Sequence, residues 1–197
     1  MQKSNIIFID IDGPLIPERW WLHPANVDIL AEVKGRISDI RINWELKKQV
    51  KFDPVAVWMF NALAKYSNAL GVLSTNWMNH TTIEQMQELF VLNGLNITLH
   101  DHPVTPKKMS SYRSNEIMWW LDKYQQDIND YIIIDDDWSM NPKHMQTVGD
   151  DFAAVGARVI YVDGENGMTR ENFNDACRLF KIDFDELNMN EFGHNGR

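Results

Sequence analysis

One cysteine in 197 residues, Cys177, excludes an intrachain disulfide framework and a cysteine-built metal cage. Its setting, "NDACRLF", reads as helix, so the thiol is expected to serve as a small buried hydrophobe. Positive charge is scarce as well: 19 Lys and Arg stand against 28 Asp and Glu, for a formal net charge of −9. Such a chain lacks the basic field that holds a polynucleotide backbone over an extended footprint, although a local basic pocket for one phosphate stays open. No apolar run approaches a membrane span, and the run near the amino terminus, "NIIFI", is too short for a signal peptide and is interrupted by Asp10. A soluble, cytoplasmic protein with no membrane partner is therefore expected. Internal repeats, low-complexity stretches and long charge runs are also missing.

What is present fits one globular domain with a sizeable core, with 44% hydrophobic and 24% charged residues. Apolar runs recur at 5–10 ("NIIFID"), 69–74 ("ALGVLS"), weakly at 96–100 ("NITLH"), at 131–137 ("YIIIDDD") and at 157–163 ("ARVIYVD"). Continuous Ile, Val and Leu suit parallel strands buried on both faces. Helical segments separate them. Asp53-Pro54 supplies a cap and a first-turn proline, followed by Val55, Met59 and Leu63 as a stripe. Thr81 to Glu84 offers a capping box for a helix carrying Ile83, Met86 and Phe90, and Asn93-Gly94 stops it. Further helices are expected from Arg113 to Gln126, with Ile117, Leu121 and Tyr124, and from a Thr169 cap to Phe180. This alternation predicts an α/β fold, a doubly wound parallel sheet of the Rossmann-like kind with right-handed crossovers. Ligands bind such sheets beyond the carboxyl ends of the strands.

The domain is expected to span 1–185, with a tail over 186–197. About forty residues separate the first strand from the helix at Pro54, too many for a plain connection. Residues 16–52 are expected to form a small cap-like insertion overhanging the site.

Four elements place chemistry at those strand ends. Asp10-Ile11-Asp12-Gly13 closes the first strand, and Ser74-Thr75-Asn76 closes the second. Arg113 opens the helix before the fourth strand, which ends in Asp135-Asp136-Asp137. An apolar strand finished by two carboxylates is costly unless they are paired, hydrogen-bonded or bound to a cation.

In this order the motifs resemble those of the haloacid dehalogenase (HAD) superfamily of phosphotransferases, over roughly residues 5–181. "FIDIDGPL" matches its Asp-x-Asp-Gly motif, "GVLSTNW" the strand ending in Ser or Thr, "YRSNEIMWWL" the cation before a helix, and "YIIIDDD" the acidic pair. The subgroup it resembles is small, lightly capped HAD domains, some attached to nucleic-acid repair proteins.

The resemblance implies an HAD-type phosphatase, a Mg²⁺-dependent phosphomonoester hydrolase. Asp10 would be the nucleophile that forms an aspartyl-phosphate, and Asp12 the acid and base for the leaving oxygen and for water. Mg²⁺ would be held by Asp10, Asp136 and the backbone carbonyl of Asp12, with Asp135 orienting waters or Arg113. Thr75 is preferred to Ser74 for the phosphoryl oxygens, with Asn76 beside it. Arg113 is preferred to Lys107 and Lys108 as the cation. Gly13 permits the exit turn, Pro14 stiffens it, and Asp137 is expected to be exposed.

The expected substrate is a small phosphorylated molecule, with a nucleotide or a nucleic-acid 3′ or 5′ end preferred. Two alternatives stay open: a non-catalytic phosphate-binding or interaction protein of the same shape, and a phosphotransferase to an acceptor other than water. Trp20-Trp21 could stack on a base, but packing of the insertion is the expected role. Trp77 is expected to pack near the site without touching phosphate, and one of Trp119-Trp120 to be core. His100-Asp101-His102 resembles a metal pair but lacks a third ligand, so a solvated loop is expected there. His23, His80, His144 and His194 show no partner spacing.

Overall fold

The computed structural model describes residues 3–106, 112–143, 145 and 155–182. Lys107, Lys108, His144, His194 and the expected 186–197 tail lie outside the described residues. The apolar runs form one sheet of five parallel strands: β1 (Ser4–Ile9), β2 (Ala69–Leu73), β3 (Leu99–Val104), β4 (Ile128–Asp135) and β5 (Val159–Tyr161). Their order is β3-β2-β1-β4-β5, so β1 is central and the chain leaves it in opposite directions on its two sides. Both faces are covered, which is why the strands read as unbroken hydrophobic runs. Ile7 and Ile9 join one core cluster, while Ile6 and Phe8 join the other.

Helices α5 (Pro54–Ser67), α6 (Ile83–Leu92) and α8 (Arg170–Phe180) cover the first face. Helix α7 (Arg113–Tyr124) covers the second, where Trp120 meets Phe8 edge-on at 5.2 Å between centroids. Cys177 is fully buried on α8, and burial pushes its thiol up to about 11.

The caps explain where the helices begin. The Asp53 carboxylate accepts from the Val55 N–H at 2.9 Å, with Pro54 in the first turn. On α6 the capping box is Thr82 with Gln85, one residue beyond the Thr81–Glu84 pair expected from the sequence. Thr169 and Asn172 form another box on α8. The Val55 stripe is corrected: Val55 is exposed, and Met59 and Leu63 bury with Ala56, Val57 and Phe60 instead. Ala56, Phe60 and Leu63 centre the buried face, and Val55 falls outside it, turned to solvent while its neighbours Ala56 and Val57 are covered.

Strand β3 begins later than expected, and His100-Asp101-His102 lies on it rather than in a loop. It is an edge strand, where half-exposed polar residues and Pro103 are tolerated because one side needs no partner. His102 stacks on Tyr124 at 4.1 Å.

The segment after β1 folds into four short helices, α1 (Glu18–Trp21), α2 (Val27–Glu32), α3 (Ile37–Ile42) and α4 (Trp44–Lys47). Trp21, Ile29, Val33, Ile40, Leu46 and Val50 bury in the same cluster as Ile7 and Ile9. Buried Asn26 ties the ends of the segment together: its amide donates to Lys51 O at 2.8 Å and its oxygen accepts from Lys51 N at 2.8 Å. Trp20 donates to the same carbonyl and stacks on His23 at 4.0 Å, so both tryptophans pack the insertion.

Candidate active site

Parallel pairing brings the acids together. β1 lies between β2 and β4, and their registers align Ile9 with both Leu73 and Ile134. The ladder then continues past the strand ends: Asp10 N–H donates to Ile134 O at 3.2 Å, and Ser74 N–H to Ile9 O at 2.9 Å. Asp10, Ser74-Thr75 and Asp135-Asp136 therefore exit side by side at one edge. Carboxylate oxygens of Asp10, Asp135 and Asp136 all lie within 4.8 Å of one another, the only such cluster of potential metal ligands among the described residues.

Two glycines seat Asp136. Gly13 turns the chain at φ +80°, and a Cβ there would sit 2.4 Å from Asp136 Cγ and Oδ2. A Cβ on Gly164, in the loop after β5, would also meet Asp136 Oδ2 at 2.4 Å. Only glycine lets both loops close around this carboxylate.

Arg113 enters from the start of α7 and is almost wholly buried. Its guanidinium donates to Ser74 O, lies 3.8 Å from Asp135 Oδ2 and 4.0 Å from Asp10 Oδ1, and so links the ends of three strands. Burial works against that charge, but Asp10, Asp135, Glu116 and Asp137 outweigh it and raise the Arg113 pKa. Asp135 is fully buried and lies well above the ordinary carboxylate range, first through burial and then through Asp10, with Arg113 opposing. Asp136 rises to about 7 through burial, then Asp10 and Asp12.

This is a site short of positive charge. Asp135 Oδ1 accepts from Asp137 N–H at 2.8 Å, but its buried Oδ2 has no hydrogen-bond partner among the described residues. A cluster of hard carboxylate oxygens with an orphaned lone pair fits Mg²⁺ in donor type and charge.

Asp12 occupies different surroundings. Its side chain is outside the three-carboxylate cluster, and its Oδ2 accepts from the Trp77 indole N–H at 2.9 Å and from Arg41 Nη2 at 2.8 Å. Burial and the Asp10 charge raise its pKa, while Arg41 and Trp77 oppose the rise.

Trp77 belongs to the 3-10 helix Asn76–His80, which Thr75 caps by accepting from the Trp77 N–H. Lys47, fully buried on α4, donates to Trp77 O at 3.1 Å, His80 O at 3.2 Å and Thr81 Oγ1. Burial lowers its pKa to about 8.

Of the residues anticipated from sequence, Asp10, Asp12, Ser74, Thr75, Arg113, Asp135 and Asp136 gather at this edge, and Asn76 follows as an exposed residue. Asp137 is corrected from exposed to half-buried: its carboxylate accepts from Ser139 N–H at 2.8 Å and Ser139 Oγ at 2.6 Å, capping a short helix. Sequence reasoning missed Arg41, Lys47 and Gly164, and gave Trp77 no polar contact. Nothing local marks them, because each partner lies 28 or more residues away.

Among the described residues no helix is long and apolar enough to cross a membrane. No curated protein and no solved structure gives a significant match. Residues 6–173 match the family described as HAD domain in Swiss Army Knife RNA repair proteins. At family level this supports phosphatase-type hydrolase chemistry and, in general, use of Mg²⁺. With the parallel sheet and the acids at its carboxyl edge, that match over most of its length makes the chain a member of this HAD-domain family.

Proposed function

We propose that the chain hydrolyses a phosphomonoester through an aspartyl-phosphate on Asp10. The observation that carries this reading is the division of labour between two acids two residues apart. Asp10 lies against Arg113, Asp135 and Asp136, whereas Asp12 is held separately by Trp77 and Arg41. Carboxylates in distinct environments can take distinct roles.

In the first step an Asp10 oxygen attacks phosphorus, the bond to the leaving oxygen breaks, and Asp12 gives that oxygen a proton. In the second, Asp12 takes a proton from a water attacking the same phosphorus, which frees phosphate and restores Asp10. Thr75, Ser74 and Asn76, at the end of β2, would donate to the phosphoryl oxygens, and Arg113 would meet the charge that develops on them. Asp10, Asp136 and the Asp12 carbonyl would hold Mg²⁺, with Asp135 orienting its waters and Arg113. When bound, Mg²⁺ supplies positive charge that eases approach of an anionic nucleophile to an anionic phosphate.

Residues 16–52 would act as a small cap, since Arg41 reaches Asp12 from there. A nucleotide or a nucleic-acid terminal phosphate is the substrate class we favour, in keeping with the family's description. A net charge of −9 argues for a terminal phosphate over a long footprint.

The test is p-nitrophenyl phosphate turnover with Mg²⁺ in the wild type and in Asp10→Asn. Loss of a nucleophile should lower kcat by about a thousandfold or more. Equal rates would end the proposal, and product analysis with added alcohols separates hydrolysis from transfer to another acceptor.

A further inference from the structure

Arg41 holds a place that chemistry at Asp10 does not require. Asp12 Oδ2 already accepts the Trp77 indole N–H at 2.9 Å, a neutral contact that fixes its orientation. A guanidinium then adds a second contact to the same oxygen, at 2.8 Å, from a segment outside the sheet. An arginine offers five N–H donors in a planar fork, and Asp12 engages one side of it. Arg41 Nε is buried and has no hydrogen-bond partner among the described residues. Nε is enclosed beside Asp12, whose Oδ1 is likewise buried without a partner among the described residues, so it is the exposed part of the Arg41 side chain that a ligand can reach.

We infer that Arg41 reads a second anionic group on the leaving side of the substrate, so that the preferred substrates are phosphomonoesters whose alcohol carries a further phosphate or phosphodiester near the scissile bond. This rests on the phosphatase reading, in which Asp12 faces the leaving oxygen; a side chain bound to Asp12 then stands on that side of the phosphorus. Arg113 stands on the Asp10 side of the site, against Ser74 O and the Asp10 and Asp135 carboxylates, and so serves the transferred phosphoryl group rather than the leaving side. Arg41 is instead partly open, its side chain 36% exposed, where an entering molecule can meet it.

The scaffold beneath Arg41 is firm. Ile40, its neighbour on α3, is fully buried, and Lys47 on α4 ties the segment to the carbonyls of Trp77 and His80. A fork held this way suits bidentate contact with two oxygens of a phosphate. A neutral alcohol leaves Arg41 on Asp12, whereas an anionic one competes for it and gains affinity.

The experiment compares kcat and KM with Mg²⁺ for adenosine 3′-monophosphate, adenosine 5′-monophosphate, adenosine 3′,5′-bisphosphate and a 3′-phosphorylated dinucleotide. The wild type should favour the last two by tenfold or more, chiefly through KM. Arg41→Gln should erase that preference and Arg41→Lys should restore part of it. Preference for the dinucleotide over the bisphosphate assigns the second anion to a phosphodiester, and the reverse order to a free bisphosphate. A single common drop in kcat for every substrate, or no change at all, overturns the inference.

Calorimetric binding of the same nucleotides to Asp10→Asn, with and without Arg41→Gln, gives a second readout that needs no turnover. If the wild type hydrolyses nothing but the Arg41-dependent binding preference persists, the phosphatase reading fails and the assignment of Arg41 stands. Equal binding of mono- and bisphosphate overturns the assignment.

Discussion

Asp136 is confined between Gly13 and Gly164, each leaving 2.4 Å to the carboxylate for a Cβ that is not there. Gly164→Ala is the cleaner probe, because the turn at Gly13 also needs its positive φ. It should weaken Mg²⁺ affinity by about 10–100-fold, the usual cost of disturbing a group that supports a metal site, with the far-ultraviolet circular dichroism unchanged. Unaltered affinity in a Mg²⁺ titration would show that Asp136 has room to move.

The acids also predict a pH dependence. Asp136 rises from 3.8 to about 7 in the folded protein, so the native state binds more protons than the unfolded chain between those values. Stability without metal should therefore fall as pH rises through that window, and Mg²⁺ should cancel the fall. A metal-free melting temperature that climbs from pH 5 to pH 8 would contradict this. The main acids were legible because a strand that ends in carboxylates is a local pattern. The glycine on the far loop was not, since its constraint is a contact 28 residues from Asp136 in sequence and exists only once β5 pairs with β4.

At the scale of elements, the 3-10 helix Asn76–His80 joins the insertion to Asp12, the acid proposed to handle the leaving oxygen. Lys47 donates to two of its carbonyls and to Thr81, and Trp77 passes that constraint to Asp12. Lys47→Met leaves those carbonyls without their donor and should cost about 2 kcal/mol in urea unfolding at pH 7, since hydrogen bonds from a charged group contribute about 1.5–3 kcal/mol. A stabilised variant would show that desolvation of the ammonium outweighs its bonds. The Asp53 cap allows a simpler test: Asp53→Ala should destabilise by about 1 kcal/mol, because Val55 N–H loses its acceptor.

Element identity was legible from runs, caps and stops, and α5, α6 and α8 begin within a residue of their signals. The four short helices after β1 were not. Each is six residues or fewer, too brief for a 3.6-residue period to repeat, and packing against the main core rather than propensity holds them.

For the whole molecule, a net charge of −9 confines anion binding to local positive groups. With Arg41 and Arg113 as the two proposed phosphate contacts, the slope of log affinity against log salt for a phosphorylated single strand should be about −1.4, or −0.7 per contact. A slope beyond about −4 would reveal an extended basic surface that the composition gives no hint of. Cys177 reports on the same scale. Buried on α8 with its thiol raised to about 11, it should resist thiol reagents in the native state and react only as the domain unfolds.

The central claim is that Asp10 itself carries the phosphoryl group. Borohydride reduction of the enzyme quenched during turnover converts an aspartyl-phosphate to homoserine, and peptide mass spectrometry locates it. Homoserine at position 10, dependent on substrate and Mg²⁺, is the predicted result; homoserine at another aspartate, or none while phosphate is being released, would contradict it.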